Sequence, residues 1–573
     1  MYFPLGYKDA AYQWWNSARP PMAERNVLAL APYLKEVVDD LATTATAITT
    51  PEVDPFGTRT WRRSLVQLSG KDRALNEICV ERQGEEVEET LVMLHGYGAG
   101  LGFFYKNFEP VTRISGLRLY ALDMLGMGNS SRPVFKIHAR DHDKQVEEAE
   151  DWFIDALEEW RKTRKIERFT LLGHSLGGYL AVSYALKYPG RLKKLILASP
   201  VGIPENPYAV NASLPEPEVS TVANEFTQDQ HATTATSGSN HDASVTKEKQ
   251  EQQPPQKRSI PSWAIWLWDA KVVNFSPFSI IRFTGPFGPR FISAWTSRRF
   301  NHLPPDEAQA LHEYSFSIFK QKGSGEYALA YLLAPGAWAR HPIINRIHQV
   351  GRQPIPQQPS ASSPSPSPNG SPLKETGIPI VFMYGENDWM DVAGGLAAEQ
   401  KLNEARTQAL LHGTDEEKRN ERGAARVVVI PKAGHHLYLD NAEDFNDVIC
   451  KEMEETKAEG QRERNSGDSG LEFRIDGAEL TQVAGDGNVF PVPEIYFTGK
   501  INGRQVLVQE RLQGVGLSVA WAYLSQAQKE SFKQQARTIL LQLHAVKPTD
   551  GRRTRSYVVQ DPNILSNGRI LAQ

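Results

Sequence analysis

Phe169-Thr-Leu-Leu-Gly-His-Ser175-Leu-Gly-Gly-Tyr-Leu180 runs from an apolar stretch through Gly-x-Ser-x-Gly into a segment with helical character. Leu171-Leu172 closes what reads as a buried strand, and Tyr179 to Tyr188 reads as a helix stopped by Pro189-Gly190. Strand, Gly-x-Ser-x-Gly, helix is the setting in which the motif forms a sharp, strained turn with the serine at its apex. Small neighbours, Gly173, Gly177 and Gly178, let the backbone through. The helix N-terminus behind the serine favours negative charge forming beside it. Ser175 is the candidate nucleophile.

Working outward, the pattern is strands alternating with helices. Ser64–Leu68 and Asn76–Glu81 alternate apolar and polar residues and predict an antiparallel pair at a sheet edge. Leu91–Leu94 is a continuous apolar run, as for a strand buried on both faces. Leu117–Leu122 and Leu195–Ser199 continue the strands, with an amphipathic helix over Glu147–Arg164 between them. The sheet resumes at Ile378–Tyr384 and Arg426–Ile430, and a helix over Ala442–Lys457 ends it. This alternation predicts an α/β architecture, a mostly parallel sheet with helices on both faces.

Five regions follow. Residues 1–55 are an amphipathic, tryptophan-containing N-terminal segment, 60–203 the first part of the core, and 204–377 an insertion. Residues 378–457 are the second part of the core, and 461–573 are a linker and a tail of different composition. Inside the insertion, 213–257 is rich in Thr, Ser, Gln and Glu and 353–374 in Pro and Ser, so both predict disorder. Between them Trp263, Trp266, Trp268, Phe275, Phe278, Phe283, Phe287, Phe291, Trp295 and Phe300 predict a folded helical cap. Its aromatics suit a long apolar ligand, although aromatics also build a cap's own core. Trp14-Trp15 suits a membrane interface or packing on the core equally well. In the tail, Pro493–Lys500, Asn502-Gly503 and Gln505–Glu510 predict a β-hairpin, followed by a helix over Ser525–His544.

A serine hydroxyl needs a base to take its proton and a third group to orient that base. In the chain order nucleophile, acid, base, the sequence supplies Ser175, Asp388 and His435, the last two each just past a late strand. Asp391 is the fallback acid and His436 the fallback base. An oxyanion needs two backbone N–H donors: Leu176 supplies one and Tyr97, in His95-Gly-Tyr-Gly98, the other. Asp123 precedes the serine and reads as a loop anchor rather than the acid.

The net charge of −4 over 573 residues, with both signs plentiful, does not point to nucleic acid. Cys79 and Cys450 stand far apart, with no metal-type Cys/His cluster, so neither a metal nor another cofactor is expected and a reducing compartment is the simplest reading. No apolar run reaches the roughly 20 residues of a membrane span. No signal peptide is visible at the N-terminus.

The elbow, His95-Gly-Tyr-Gly, Tyr384-Gly-Glu-Asn-Asp-Trp-Met-Asp391, Ala433-Gly-His-His-Leu-Tyr-Leu-Asp440 and Ala198-Ser-Pro-Val-Gly202 together carry a resemblance over roughly residues 10–457. They resemble the α/β-hydrolase family of the lipase coactivator linked to neutral-lipid storage disease, the N-acyl-phospholipid lysophospholipase and the fungal mitochondrial cardiolipin-specific deacylases. The resemblance implies an α/β-hydrolase fold with an inserted cap and a glycerophospholipid or lysophospholipid substrate. It also implies a peripheral membrane site inside the cell, the mitochondrion first, with the lipid droplet or cytoplasm as alternatives. The coactivator lacks the serine that this chain has at 175, which favours a working deacylase. His435 to Asp440 resembles the His-x4-Asp signature of glycerolipid acyltransferases, so acyl transfer to a lysophospholipid, lysophosphatidic acid above all, is the alternative. A non-catalytic lipase activator and a small-ester esterase are further alternatives. The tail resembles the N-terminal lobe of aminoglycoside/choline-type phosphotransferases. It lacks their His-x-Asp loop, since no histidine follows His544, so a truncated α+β kinase-like fragment without kinase activity is expected.

Overall fold

In a computed structural model of the chain, the described residues are 4–37, 54–205, 276–334, 337–355 and 374–465, with short strands at 475–476, 495–501 and 504–509. Two units divide at residue 467. Two helices open the first unit, α1 (Tyr7–Asn16) and α2 (Pro20–Leu28), followed by β1 (Lys35–Glu36), β2 (Arg59–Gln67) and β3 (Ala74–Arg82). Then come β4 (Glu89–Leu94), α3 (Tyr105–Val111), β5 (Leu117–Leu122), α4 (His142–Thr163), β6 (Phe169–His174), α5 (Leu176–Lys187) and β7 (Leu192–Ala198). The inserted region holds α6 (Pro277–Phe283), α7 (Gly288–Arg299), α8 (Pro305–Phe319) and a short ribbon of β8 (Leu333–Ala334) and β9 (Trp338–Ala339). β10 (Pro379–Gly385), α9 (Val392–His412), β11 (Ala424–Ile430) and α10 (Ala442–Asn465) complete the unit.

Among the described residues, nine strands make one sheet in the order β1-β2-β3-β5-β4-β6-β7-β10-β11. β3 is antiparallel to β2 and β5, and every other neighbouring pair is parallel. β6 is buried along its whole length and β7 almost so. A strand covered on both faces tolerates no polar alternation, which is why these read as unbroken apolar runs. The antiparallel pair β2–β3 stands one strand in from the margin, because Lys35 and Glu36 add β1 outside it. Two residues carry no periodicity, so nothing local announces that strand.

Helix ends differ from the expected ones for local reasons. α4 starts at His142, five residues before Glu147, because Asp141 caps it by accepting from the Lys144 N–H at 3.1 Å. α10 runs on to Asn465, through residues expected to begin a linker. The Glu, Lys, Gln and Arg residues there are good helix formers and outweigh the single Gly460.

The insertion is a helical cap. α7 packs on α8, and α8 packs on α2. Phe278, Phe300, Tyr314, Phe316 and Phe319 are buried, whereas Phe283, Phe287 and Phe291 are exposed. The cap's aromatics thus divide between its own core and its surface. Trp263, Trp266, Trp268 and Phe275 lie outside the described residues, as do 213–257 and nearly all of 353–374. At the N-terminus, Leu5 and Ala10 are buried, the Leu5 N–H donates to Ser293 Oγ at 2.9 Å, and Gln13 Oε1 accepts from His312 Nε2 at 3.0 Å. These contacts pack α1 on the cap while Tyr12, Trp14 and Trp15 face outward, Trp15 at 79% exposure.

In the second unit, β12 (Ile475–Asp476), β13 (Ile495–Ile501) and β14 (Arg504–Gln509) form an antiparallel ladder in which Ile501 pairs with Arg504. The helix expected over Ser525–His544 lies outside the described residues.

Candidate active site

Ser175 sits between β6 and α5 with φ 52° and ψ −114°, a backbone region that costs a non-glycine residue about 1–3 kcal/mol. Four backbone bonds hold it there, one of them from the Val201 N–H to its carbonyl at 3.3 Å. Its N–H donates to Ala198 O at 2.9 Å, and its carbonyl accepts from the N–H groups of Gly178 at 3.0 Å and Tyr179 at 3.1 Å. A Cβ at Gly173 would stand 2.3 Å from Gly177 O, and one at Gly177 would stand 2.6 Å from His95 O. No side chain fits at either position. The strand therefore turns directly into the helix, which begins at Leu176 rather than Tyr179.

The candidate acid and base arrive from the carboxyl ends of neighbouring strands. His435, in the loop after β11, places Nδ1 3.2 Å from Asp388 Oδ1, and both side chains are buried. The same Asp388 oxygen accepts from the Met390 N–H at 3.0 Å, and its other oxygen accepts from Ser199 Oγ. Trp389 lies against the His435 ring, 4.9 Å between centroids. The elbow side grips this histidine as well: His174 Nε2 donates to the His435 carbonyl at 2.9 Å. Burial and the nearby His435 hold His174 well below the usual histidine range, so its ring is neutral.

The fallback residues lie elsewhere. Asp391 caps α9 by accepting from the Ala393 N–H at 2.9 Å. His436 is half-buried, its Nδ1 accepts from Arg299 Nε at 3.1 Å, and desolvation with the adjacent Arg299 charge holds it well below the usual histidine range. Asp440 does not orient the His435 imidazole. Its Oδ1 pairs with Arg299 Nη1 at 2.8 Å and its Oδ2 accepts from the Gly434 N–H at 3.0 Å, while Asp388 is the carboxylate on His435 Nδ1. The fold places Asp388 across a neighbouring strand end, where the imidazole edge points, and leaves Asp440 facing the cap.

The loop after β4 passes directly against the serine. A Cβ on Gly96 would stand 3.0 Å from Ser175 Cβ and 2.9 Å from His174 Nδ1. Tyr97 follows, its ring stacked on cap residue Phe278 at 5.3 Å, beside a narrow cavity lined by Gly98, Met127, Arg132, Phe319 and Glu326. Leu176 opens α5 on the other side of the serine. Asp123 anchors this region: it accepts from the N–H groups of Leu101 and Asn129, each at 2.7 Å, and from Asn76 Nδ2 at 2.8 Å.

Sequence reasoning missed two residues here. Ser199, which reaches Asp388, had a weak signal as a polar residue ending the strand beside the elbow. Arg299, far away in the sequence, had none. Among the described residues no three His, Cys, Asp or Glu side chains are grouped to hold a metal ion, and no helix is long and apolar enough to cross a membrane.

Ser175 thus stands on a strained strand-to-helix turn, and across adjacent strand ends a buried carboxylate holds the His435 imidazole. Residues 89–442 match the alpha/beta hydrolase fold family, and the chain belongs to it. The 1-acylglycerol-3-phosphate O-acyltransferase of Arabidopsis thaliana is 30% identical over 395 residues, 68% of this chain and 71% of that protein. The (lyso)-N-acylphosphatidylethanolamine lipase of Homo sapiens is 28% identical over 363 residues, 63% of this chain and 77% of that one. A thermophilic esterase from Thermogutta terrifontis, solved with malate bound, shares 14% identity over 69% of this chain and 99% of its own, with a TM-score of 0.39. The family match ends before the tail.

Proposed function

We propose that the protein is a serine carboxylic-ester hydrolase that removes fatty acyl chains from glycerophospholipids, of the phospholipase or cardiolipin-deacylase type. The observation that carries this reading is the Asp388–His435 hydrogen bond beside the strained Ser175. His435 takes the Ser175 proton as Oγ attacks the ester carbonyl, and the Leu176 and Tyr97 N–H groups receive the oxyanion. Collapse breaks the bond to the glycerol oxygen, which leaves as the lysolipid alcohol with the proton from His435. Water, deprotonated by the same histidine, then releases the fatty acid from Ser175.

A lysophospholipid hydroxyl in place of that water would give acyl transfer, and the name of the Arabidopsis thaliana relative favours this second reading. On it, Ser175 and His435 do the same work and only the acceptor changes.

The reading includes a peripheral membrane site. The outward Tyr12, Trp14 and Trp15 of α1 support it, since amphipathic aromatics favour headgroup depth, and the exposed Phe283, Phe287 and Phe291 of the cap offer apolar rings to the acyl boundary. The mitochondrial membrane is the proposed location, following the resemblance to the cardiolipin deacylases.

The test is lipid turnover by the full-length protein beside Ser175→Ala. Mixed phospholipids including cardiolipin, and lysophosphatidic acid with acyl-CoA, are offered and products read by mass spectrometry. Serine-dependent release of fatty acid and lysolipid is expected. Serine-dependent phosphatidic acid would move the assignment to the transferase, and equal behaviour of the two proteins would reject both.

A further inference from the structure

Arg299 and Asp440 are both largely buried, with side-chain exposures of 6% and 13%, and they join two parts of the fold. Arg299 ends cap helix α7, and Asp440 ends the one-turn helix Leu437–Asp440 that follows the catalytic-loop histidines. Each uses its geometry twice. Asp440 Oδ2 accepts from the Gly434 N–H and so closes the turn that carries His435, while its Oδ1 meets the guanidinium. Arg299 reaches Asp440 through Nη1 and His436, the neighbour of His435, through Nε. On the far side His174 holds the His435 carbonyl. The backbone of the base is therefore held directly by His174 from the elbow, and its turn is held from the cap by Arg299 through Asp440 and the His436 side chain.

We propose that Arg299 is a positioning residue that sets His435 through Asp440 and His436, and that the aspartate of the His-x4-Asp signature is the core half of this clamp. The proposal rests on the reading of Ser175 and His435 as nucleophile and base. A buried guanidinium–carboxylate pair is costly to break from one side, because the remaining charge is stranded. A planar fork is also the group that can serve a carboxylate and an imidazole at once. Misplacing a catalytic group by about 1 Å costs on the order of a hundredfold in rate, so a clamp on the base's own turn acts on turnover rather than on substrate affinity. The clamp precedes the fate of the acyl-enzyme. It bears on formation of the acylated serine, equally whether water or an alcohol then accepts the acyl group.

The experiment uses the full chain with Arg299→Gln, Asp440→Asn, the double variant and Arg299→Lys, all checked for folding by thermal melting. Three readouts are taken: the rate at which a fluorophosphonate labels Ser175, kcat and KM on a chromogenic fatty ester, and the ratio of transfer to hydrolysis with lysophosphatidic acid as acceptor. The expected result is a fall of about ten- to a hundredfold in labelling and kcat for each single variant, with KM nearly unchanged. The double variant falls no further than the slower single, and the transfer ratio stays at the wild-type value throughout. Arg299→Lys, which keeps the charge but loses the fork, lies between. Folded variants that label and turn over like wild type would overturn the proposal. So would a transfer ratio that falls for Asp440→Asn alone, which would make Asp440 a participant in transfer. A wild-type protein that neither labels nor hydrolyses would instead sink the Ser175 reading on which the clamp depends.

Discussion

Ser199 donates its hydroxyl hydrogen to Asp388 Oδ2, so the carboxylate that holds His435 is itself held from the end of the next strand. Ser199 pays for that reach with a left-handed backbone, φ 44°, pinned by its N–H donating to Met383 O at 2.7 Å. Ser199→Gly separates the two effects, since glycine adopts this conformation without strain while deleting the hydroxyl. The expected outcome is kcat on a fatty ester reduced about tenfold, with a melting temperature lowered only modestly because relief of the backbone strain offsets part of the roughly 1–3 kcal/mol that the buried Asp388 oxygen loses with its donor. Wild-type turnover in the glycine variant would remove Ser199 from the site.

The two candidate acids part cleanly under mutation. Asp391→Ala removes the cap of α9 and should lower stability by about 1 kcal/mol while leaving ester turnover intact. Asp388→Asn keeps the shape but loses the charge that orients and stabilises the imidazole, and should reduce kcat by about 10⁴-fold. Melting curves and steady-state rates on the same samples decide between them.

Glu24 gives stability a pH dependence. It is fully buried on α2, where its carboxylate accepts from Arg63 Nε at 2.8 Å and Asn129 Nδ2 at 2.7 Å, and Asn76 Nδ2 bridges it to Asp123. Burial, then the Asp123 charge, raises it from 4.5 to about 7. An acid raised in the folded state holds its proton after the unfolded chain has lost it, so this contribution falls as pH rises from about 4.5 to about 7 and is flat above. Subtracting the melting temperature of Glu24→Gln from that of wild type across pH 4 to 8 should give a difference that declines through that window. A difference independent of pH would contradict the assignment.

The outward aromatics of α1 are testable apart from chemistry. Trp14→Ser with Trp15→Ser should weaken sedimentation with cardiolipin-containing vesicles several-fold, because interfacial tryptophan contributes through its amphipathic ring. Hydrolysis of a soluble short-chain ester should stay at the wild-type rate. Equal vesicle binding by the two proteins would take the membrane role away from this helix.

The elbow is legible in the sequence because its causes are local. An apolar run demands burial, and Gly173 and Gly177 are the residues that fit where the backbone touches Gly177 O and His95 O. The parallel strands are legible for the same reason, and β1 is not, because a two-residue strand has no period to read. Asp388 and Asp391 stand one turn apart, and His435 and His436 are adjacent, so local pattern offered both members of each pair.

What the sequence by itself determined is the strand-turn-helix at Ser175 and the alternating strands and helices, set by sterics and burial over a few residues, and it offered Ser175, Asp388 and His435 as candidates in that chain order. Tertiary structure alone decided that Asp440 turns to Arg299 and Gly434, that Ser199 reaches Asp388, and that Arg299 of the cap meets the loop beyond His435. Those choices rest on which strand ends lie side by side and where a long insertion folds back. The Asp388–His435, Ser199–Asp388 and Arg299–Asp440 contacts join residues between 47 and 189 positions apart, a separation across which no local periodicity carries information.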